Sequence, residues 1–115
     1  MTVIYIAGPM TGYPQLNVTA FYHMEAVLRR RGFIVINPAA LNPCSRSWWA
    51  CMMVCCWHLR LADAVVCLQG WQGSRGAQLE CRIARWLGLP VYPPEALQAL
   101  LQLTDEALDT GLLMQ

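Results

Sequence analysis

Charge is scarce in this sequence. Only 13% of its residues are charged while 57% are hydrophobic, about half the charged share usual in a soluble domain. Too few polar side chains are present to cover a monomer's surface, so self-association as a homo-oligomer, a dimer or higher, is expected. The formal net charge is only +1 and no sustained basic face exists, which argues against gripping a nucleic-acid polymer through its phosphates. A small charged ligand remains compatible.

Long apolar runs are missing too. The longest, Trp48 to Trp57, has ten residues and ends at His58 and Arg60, whereas a membrane-spanning helix needs about 20. No membrane partner is therefore expected. The opening "TVIYIAG" reads as a strand and lacks the basic stretch, longer apolar core and cleavage site of a secretory signal. A cytoplasmic, reducing setting follows as the expectation, and the six cysteines read as thiols rather than disulfides. Asn17-Val18-Thr19 matches a glycosylation acceptor, but that chemistry requires secretion. Cys51 and Cys55, with Cys44 or His58, lack the tight repeated pairing of a structural zinc site, so neither a metal nor another cofactor is expected. There is no repeat and no low-complexity tract, and 115 residues suffice for one core.

What is present alternates. Val3 to Ala7 reads as a buried strand followed by the loop "GPMTGYP". Asn17 is placed to cap a helix to about Arg31, since Phe21, Met24, Val27 and Leu28 recur at helical spacing and Gly32 supplies a stop. Arg29 to Arg31 then complement that helix's negative end. Phe33 to Ile36 is a second strand and "NPAALNP" a second loop. A helix from about Arg46 to Leu61 leads to a third strand, Ala64 to Leu68, and to the loop "GWQGSRG". Ser74 is placed to cap a helix ending near Leu87, before Gly88, and Leu89 to Tyr92 is a fourth strand.

Residues 1–92 thus form one α/β domain. Pro93-Pro94 opens a helical tail over 93–115, with Ala96, Leu97, Leu100, Leu101 and Leu103 on one face and Thr104 placed to cap a final turn. The tail is expected to pack on the domain or on a neighbouring subunit. Strands alternating with helices predict a flavodoxin-like or Rossmann-like three-layer sandwich, its mainly parallel sheet having four to five strands and right-handed crossovers. Ligands of such sheets bind beyond the strands' carboxyl ends, where all three loops lie.

One residue breaks the pattern. On a helix starting near Ser74, Glu80 shares a face with Ile83, Ala84 and Leu87, while Gln78, Arg82 and Arg85 lie nearer the other side. Burying a carboxylate unpaired costs about 3 kcal/mol or more. Two readings are open. Glu80 is paired with Arg75, Arg82 or Arg85, or accepts from a tyrosine; alternatively it is a nucleophile or base in a crevice. The hydroxyl of Ser74 and the close backbone at Gly76 suit phosphate or sugar oxygens. The Trp48-Trp49 pair, Trp57 and Trp71 are candidates for stacking on a nucleobase, with burial in a core or a subunit contact expected for most of them; Trp71, beside that loop, is the best placed to stack.

"IYIAGPMTG", the "NP" after the second strand, "ADAVVCLQGW" and "SRGAQLE", in that order, resemble the nucleoside 2-deoxyribosyltransferase-like superfamily. The likeness is closest to its small branch of unknown function common in bacteriophages and prophages, and it covers roughly Thr2 to Tyr92. It implies action on the N-glycosidic bond of a deoxynucleoside or its 5′-monophosphate, by transfer or hydrolysis. Glu80 would attack the anomeric carbon, Tyr5 would orient it, Gly8 would admit the sugar, and Ser74 and Gly76 would hold the 5′-phosphate. With the three loops this gives the substrate-binding set Gly8, Pro9, Met10, Asn37, Gly70, Trp71, Ser74 and Gly76.

The family carries an aspartate on the third-strand-preceding helix where this chain has Cys55. Asp63 is the candidate replacement among the catalytic residues, with His58 or His23 behind it. The rival reading is a nucleotide-binding module without chemistry, holding a nucleotide or nucleotide-derived signal, and Cys55 favours it. A dinucleotide oxidoreductase is weaker, because Gly8-Pro9-Met10-Thr11-Gly12 lacks the glycine spacing of a pyrophosphate turn.

Overall fold

Alternation within the first strand sets the layers. In the computed structural model, which describes residues 2–41 and 47–109 and side chains as far as Leu101, β1 (Val3–Ala7) sends Ile4 and Ile6 to one face of the sheet and Tyr5 and Ala7 to the other. That is the period of two every strand imposes. The chain continues through α1 (Val18–Arg30), β2 (Ile34–Ile36), a short α2 (Pro38–Leu41), α3 (Trp48–Leu59), β3 (Ala64–Cys67), α4 (Arg75–Trp86), β4 (Val91–Tyr92) and α5 (Pro94–Asp109). All pairs are parallel and the strand order is β2-β1-β3-β4, so the fold is the expected α/β sandwich with four strands.

Two apolar layers hold it together. Tyr5, Ala7, Val65 and Cys67 pack against Cys55, Leu59 and Ala62 from α3 and its exit, and against Ala77, Cys81 and Ala84 of α4. On the opposite face Ile4, Ile6, Val35, Val66 and Leu68 meet Phe21 and Leu28 of α1 and Leu101 of α5, with Leu97 and Leu100 beside them. The near-continuous apolar strands are the signature of a sheet covered on both sides.

The differences from the sequence reading are local. Asn17 holds the N-cap position of α1 but makes no side-chain capping bond; its backbone is left-handed and its Nδ2 donates to the carbonyl of Pro9 at 2.9 Å. Gln15 and Leu16 share that conformation, which costs about 1 kcal/mol or more per residue and turns the first loop back over the sheet. α3 starts at Ser47, whose Oγ accepts from Ala50 N at 3.1 Å, and it stops at Leu59 rather than Leu61. The proposed start at Arg46 lies outside the described residues. Thr104 begins no new turn, because α5 runs through it unbroken. Of the arginine trio, Arg29 Nε pairs with Glu25 at 2.7 Å and Arg31 donates to the carbonyl of Leu101.

Candidate active site

In the order β2-β1-β3-β4 the chain leaves β1 towards one edge and returns on the other side at β3. The connections after these two strands lead to helices on opposite faces of the sheet, leaving a crevice at the strands' carboxyl ends. Here that crevice is a cavity of about 200 Å³. Its floor is Gly8 after β1, its walls are Met10, Thr11 and Leu16 of the first loop and Trp48, Cys51, Met52 and Cys55 of α3, and Ser74, Gly76, Ala77 and Glu80 close it from α4.

Close approach explains the glycines. A Cβ at Gly8 would lie 2.7–2.9 Å from three side-chain atoms of Leu68, and one at Gly70 would lie 2.6 Å from the Tyr13 hydroxyl. Gly70 also has a φ of 85°, which glycine alone adopts without strain. The loops after β1 and β3 therefore meet directly. Ser74 starts α4 with its Oγ accepting from Ala77 N at 3.2 Å, the side-chain cap its position predicts. Burial of Ala77, Cys81 and Ala84 sets the phase of α4, and Glu80 on the same face is carried inward with them.

Glu80 is 5% exposed. Among the described residues none of Arg75, Arg82 and Arg85 forms an ion pair with it; its partner is the Tyr5 hydroxyl, which donates to Oε2. Both sequence readings thus meet in one place: the carboxyl accepts from a tyrosine and lines a cavity. Burial pushes its pKa up to about 8, against the opposing pull of the Tyr5 hydrogen bond. Tyr5 is itself held well above its usual value by burial and by the neighbouring carboxyl. The Cys55 thiol, beside both, is pushed up to about 12, first by burial and then by Glu80. Beneath them Cys67 Sγ and Cys81 Sγ lie 3.4 Å apart in the core.

Of the residues singled out from the sequence, Glu80, Gly8, Met10, Ser74 and Gly76 line this cavity, and Tyr5 touches it through Glu80. Asp63 does not. It sits at the amino end of β3, where its Oδ2 accepts from Val3 N at 2.8 Å, at the opposite end of the sheet. Asn37 is spent on structure: Oδ1 accepts from Ala39 N at the start of α2, and Nδ2 donates to Glu25 Oε1, both at 2.9 Å. Pro9 and Gly70 lie beside the cavity in the adjoining groove with Thr11, Trp48 and Arg75.

Trp71 packs against the apolar layer under α4, its Nε1 buried without a partner, and it does not line the cavity. His58 hydrogen-bonds the Val54 carbonyl and does not line the cavity, and His23 borders a separate groove. Among the described residues no cluster of three possible metal ligands occurs, and Cys44 lies outside them.

Trp48 ranked behind Trp71 in the sequence. It lines the cavity and carries the Arg75 guanidinium 4.4 Å above its ring. Trp48 shares a helix face with Cys51, Met52 and Cys55, three, four and seven residues on, and no signal in the uniformly apolar sequence singles that face out. Cys51, Met52 and Cys55 follow from the same phase.

Residues 2–92 match the family described as a domain of unknown function (DUF4406). The fold is shared with a 2-deoxyribosyltransferase from Leishmania mexicana, at a TM-score of 0.64 and 18% identity over 81% of this chain and 63% of that one. This chain thus spans less than two thirds of that protein's length. It is also shared with a 2-deoxyribosyltransferase from Bacillus psychrosaccharolyticus, at a TM-score of 0.59 and 23% identity over 80% of this chain and 71% of that one. No curated protein sequence matches the chain. No helix among the described residues is long and apolar enough to cross a membrane.

Proposed function

The chain belongs to the family described as a domain of unknown function (DUF4406), and from that premise we propose that its cavity acts on the N-glycosidic bond of a deoxynucleoside or deoxynucleoside 5′-monophosphate. The carrying observation is Glu80, buried on the inner face of α4, held by Tyr5, and lining the cavity where the sheet's connectivity reverses.

Glycosidic cleavage passes through an oxocarbenium-like transition state. A carboxylate beneath the anomeric carbon stabilises the growing positive charge and then bonds to it, forming a glycosyl-enzyme. Water or a second base releases the sugar, and two displacements retain configuration. Tyr5 holds the attacking carboxylate by its hydrogen bond. Ser74, Gly76 and the free amides opening α4 suit a 5′-phosphate, and Trp48 supplies an aromatic wall for the base. Self-association belongs to the same reading, because Trp49, Met53 and Trp57 stand exposed on α3.

A second reading, a nucleotide-binding module that does not cleave its ligand, is favoured by Cys55 in place of a carboxyl acid. Incubation with deoxynucleosides and their monophosphates, followed by chromatography for free base, separates the two. The enzymatic reading expects base release that Glu80→Gln abolishes. No release, together with tight nucleotide binding that survives Glu80→Gln, establishes the module instead.

A further inference from the structure

A neutral nucleobase leaves its sugar only if a proton reaches the ring as the bond breaks. Among the described residues lining the cavity, the titratable side chains besides Glu80 are Cys51 and Cys55. Cys55 is the one beside Glu80, and at about 12 its thiol is a feeble acid for a ring nitrogen. The same cavity holds Trp48, one face of whose ring is taken by the Arg75 guanidinium at 4.4 Å; the other face of an indole also attracts positive charge. Met10 and Met52 add polarizable sulfur to the lining.

We propose that this site takes N-glycosides whose leaving group already bears a positive charge: pyridinium or N7-alkylpurinium nucleosides, or their 5′-monophosphates. This rests on the reading of the cavity as an N-glycosidic site and names its substrate class. A Glu80 oxygen bonds to the anomeric carbon as the carbon–nitrogen bond breaks. The bonding pair passes to the ring nitrogen, which loses its charge, and the base departs neutral with no proton supplied. Water oxygen then bonds to the anomeric carbon, the carboxylate is expelled, and the water's spare proton leaves through Glu80 to solvent. One proton is released per turnover.

The charges also match in the resting complex. A cation beside Glu80 favours its ionised form, countering the burial that otherwise keeps the carboxyl protonated. A neutral nucleoside brings no such help.

The test compares matched pairs on the full chain: guanosine with 7-methylguanosine, and 2′-deoxyguanosine with 7-methyl-2′-deoxyguanosine, alongside nicotinamide riboside and its mononucleotide. Free base is read by chromatography and proton release in weak buffer. Expressed as enhancement over the uncatalysed rate, the cationic member of each pair is expected to be favoured about 100-fold, the scale of one missing general acid. Equal enhancement within the pairs, or preference for the neutral member, overturns this substrate class and leaves the glycosidic reading standing. No cleavage of any member overturns both. Cys55→Asp, which introduces a carboxyl acid, is expected to raise turnover of the neutral members and narrow the ratio. A folded variant with an unchanged ratio also overturns the proposal, and the wild-type pairs decide without it if the variant does not fold.

Discussion

The Tyr5 hydroxyl donates to Glu80 Oε2, joining the central strand to α4 through an otherwise apolar layer. This bond is what pulls the Glu80 pKa down against burial. Tyr5→Phe keeps the ring's packing and removes the pull. The acidic limb of the pH–kcat/KM profile, set by ionisation of Glu80, is then expected to move upward by about one unit. Unfolding in urea should show a loss of about 1 kcal/mol. An unmoved limb would separate Tyr5 from the titration of Glu80.

Glu80 itself makes the fold sensitive to pH. An unfolded glutamate titrates near 4.3, whereas burial raises Glu80 in the fold to about 8. Between those values the folded protein keeps a proton that the unfolded chain has shed. The side chain therefore favours folding most below about pH 4, and that contribution is lost as pH rises towards about 8. Glu80→Gln stays neutral throughout and can still accept from Tyr5. Its Tm is expected to exceed the wild type's by roughly 5 °C or more at pH 8.5, with the gap closing towards pH 4.5. Thermal melts at the two pH values check it, and a constant gap would place the strain elsewhere.

Elements were legible where periodicity and stop signals agree. β1, α1 and α4 carry apolar positions at clear spacing, and α1 and α4 end just before Gly32 and Gly88. Glu80 announced itself by breaking such a pattern. Asp63 and Asn37 misled because both are short polar residues beside strands, where a side chain that binds ligand and one that satisfies neighbouring backbone look alike. Only the sheet register shows that Asp63 reaches Val3 N, and only the packing of α1 shows Asn37 bound to Glu25. Trp48 stood behind Trp71 for another reason. Its helix is apolar on nearly every side, so periodicity could not tell the cavity face from the outer face.

Contact between two loops is the next quantity open to measurement. A methyl group at position 8 would press on Cβ, Cγ and Cδ1 of Leu68 at 2.7–2.9 Å, and Cβ cannot swing away because it is fixed to the backbone. Gly8→Ala is expected to cost about 1–3 kcal/mol by overpacking and to shift the loop that floors the cavity. Leu68→Ala removes two of the three close atoms and leaves the third. The double variant should therefore be about 1 kcal/mol more stable than the sum of the singles. Strict additivity in urea unfolding would mean that the two loops do not press on each other.

The outer face of α3 carries the last prediction. Trp49, Met53 and Trp57 are 68%, 74% and 62% exposed and stand four residues apart, so they form one stripe along the helix. Arg60 lies 3.9 Å over the Trp57 ring, which covers only part of it. A contiguous apolar stripe on a chain with so few charges is expected to serve as a contact surface. Sedimentation or size-exclusion with light scattering should give a mass of at least two chains of 12.9 kDa. Trp49→Ser with Trp57→Ser should return it to one chain, because both rings lie outside the core and their loss leaves the fold intact. Met52 and Cys55 point inward from the same helix, so an assembled α3 would also be a stiffer wall for the cavity. Base release should then fall with dilution below the dissociation constant. A wild-type monomer at all concentrations would remove the stripe's role in assembly and leave the cavity chemistry untouched.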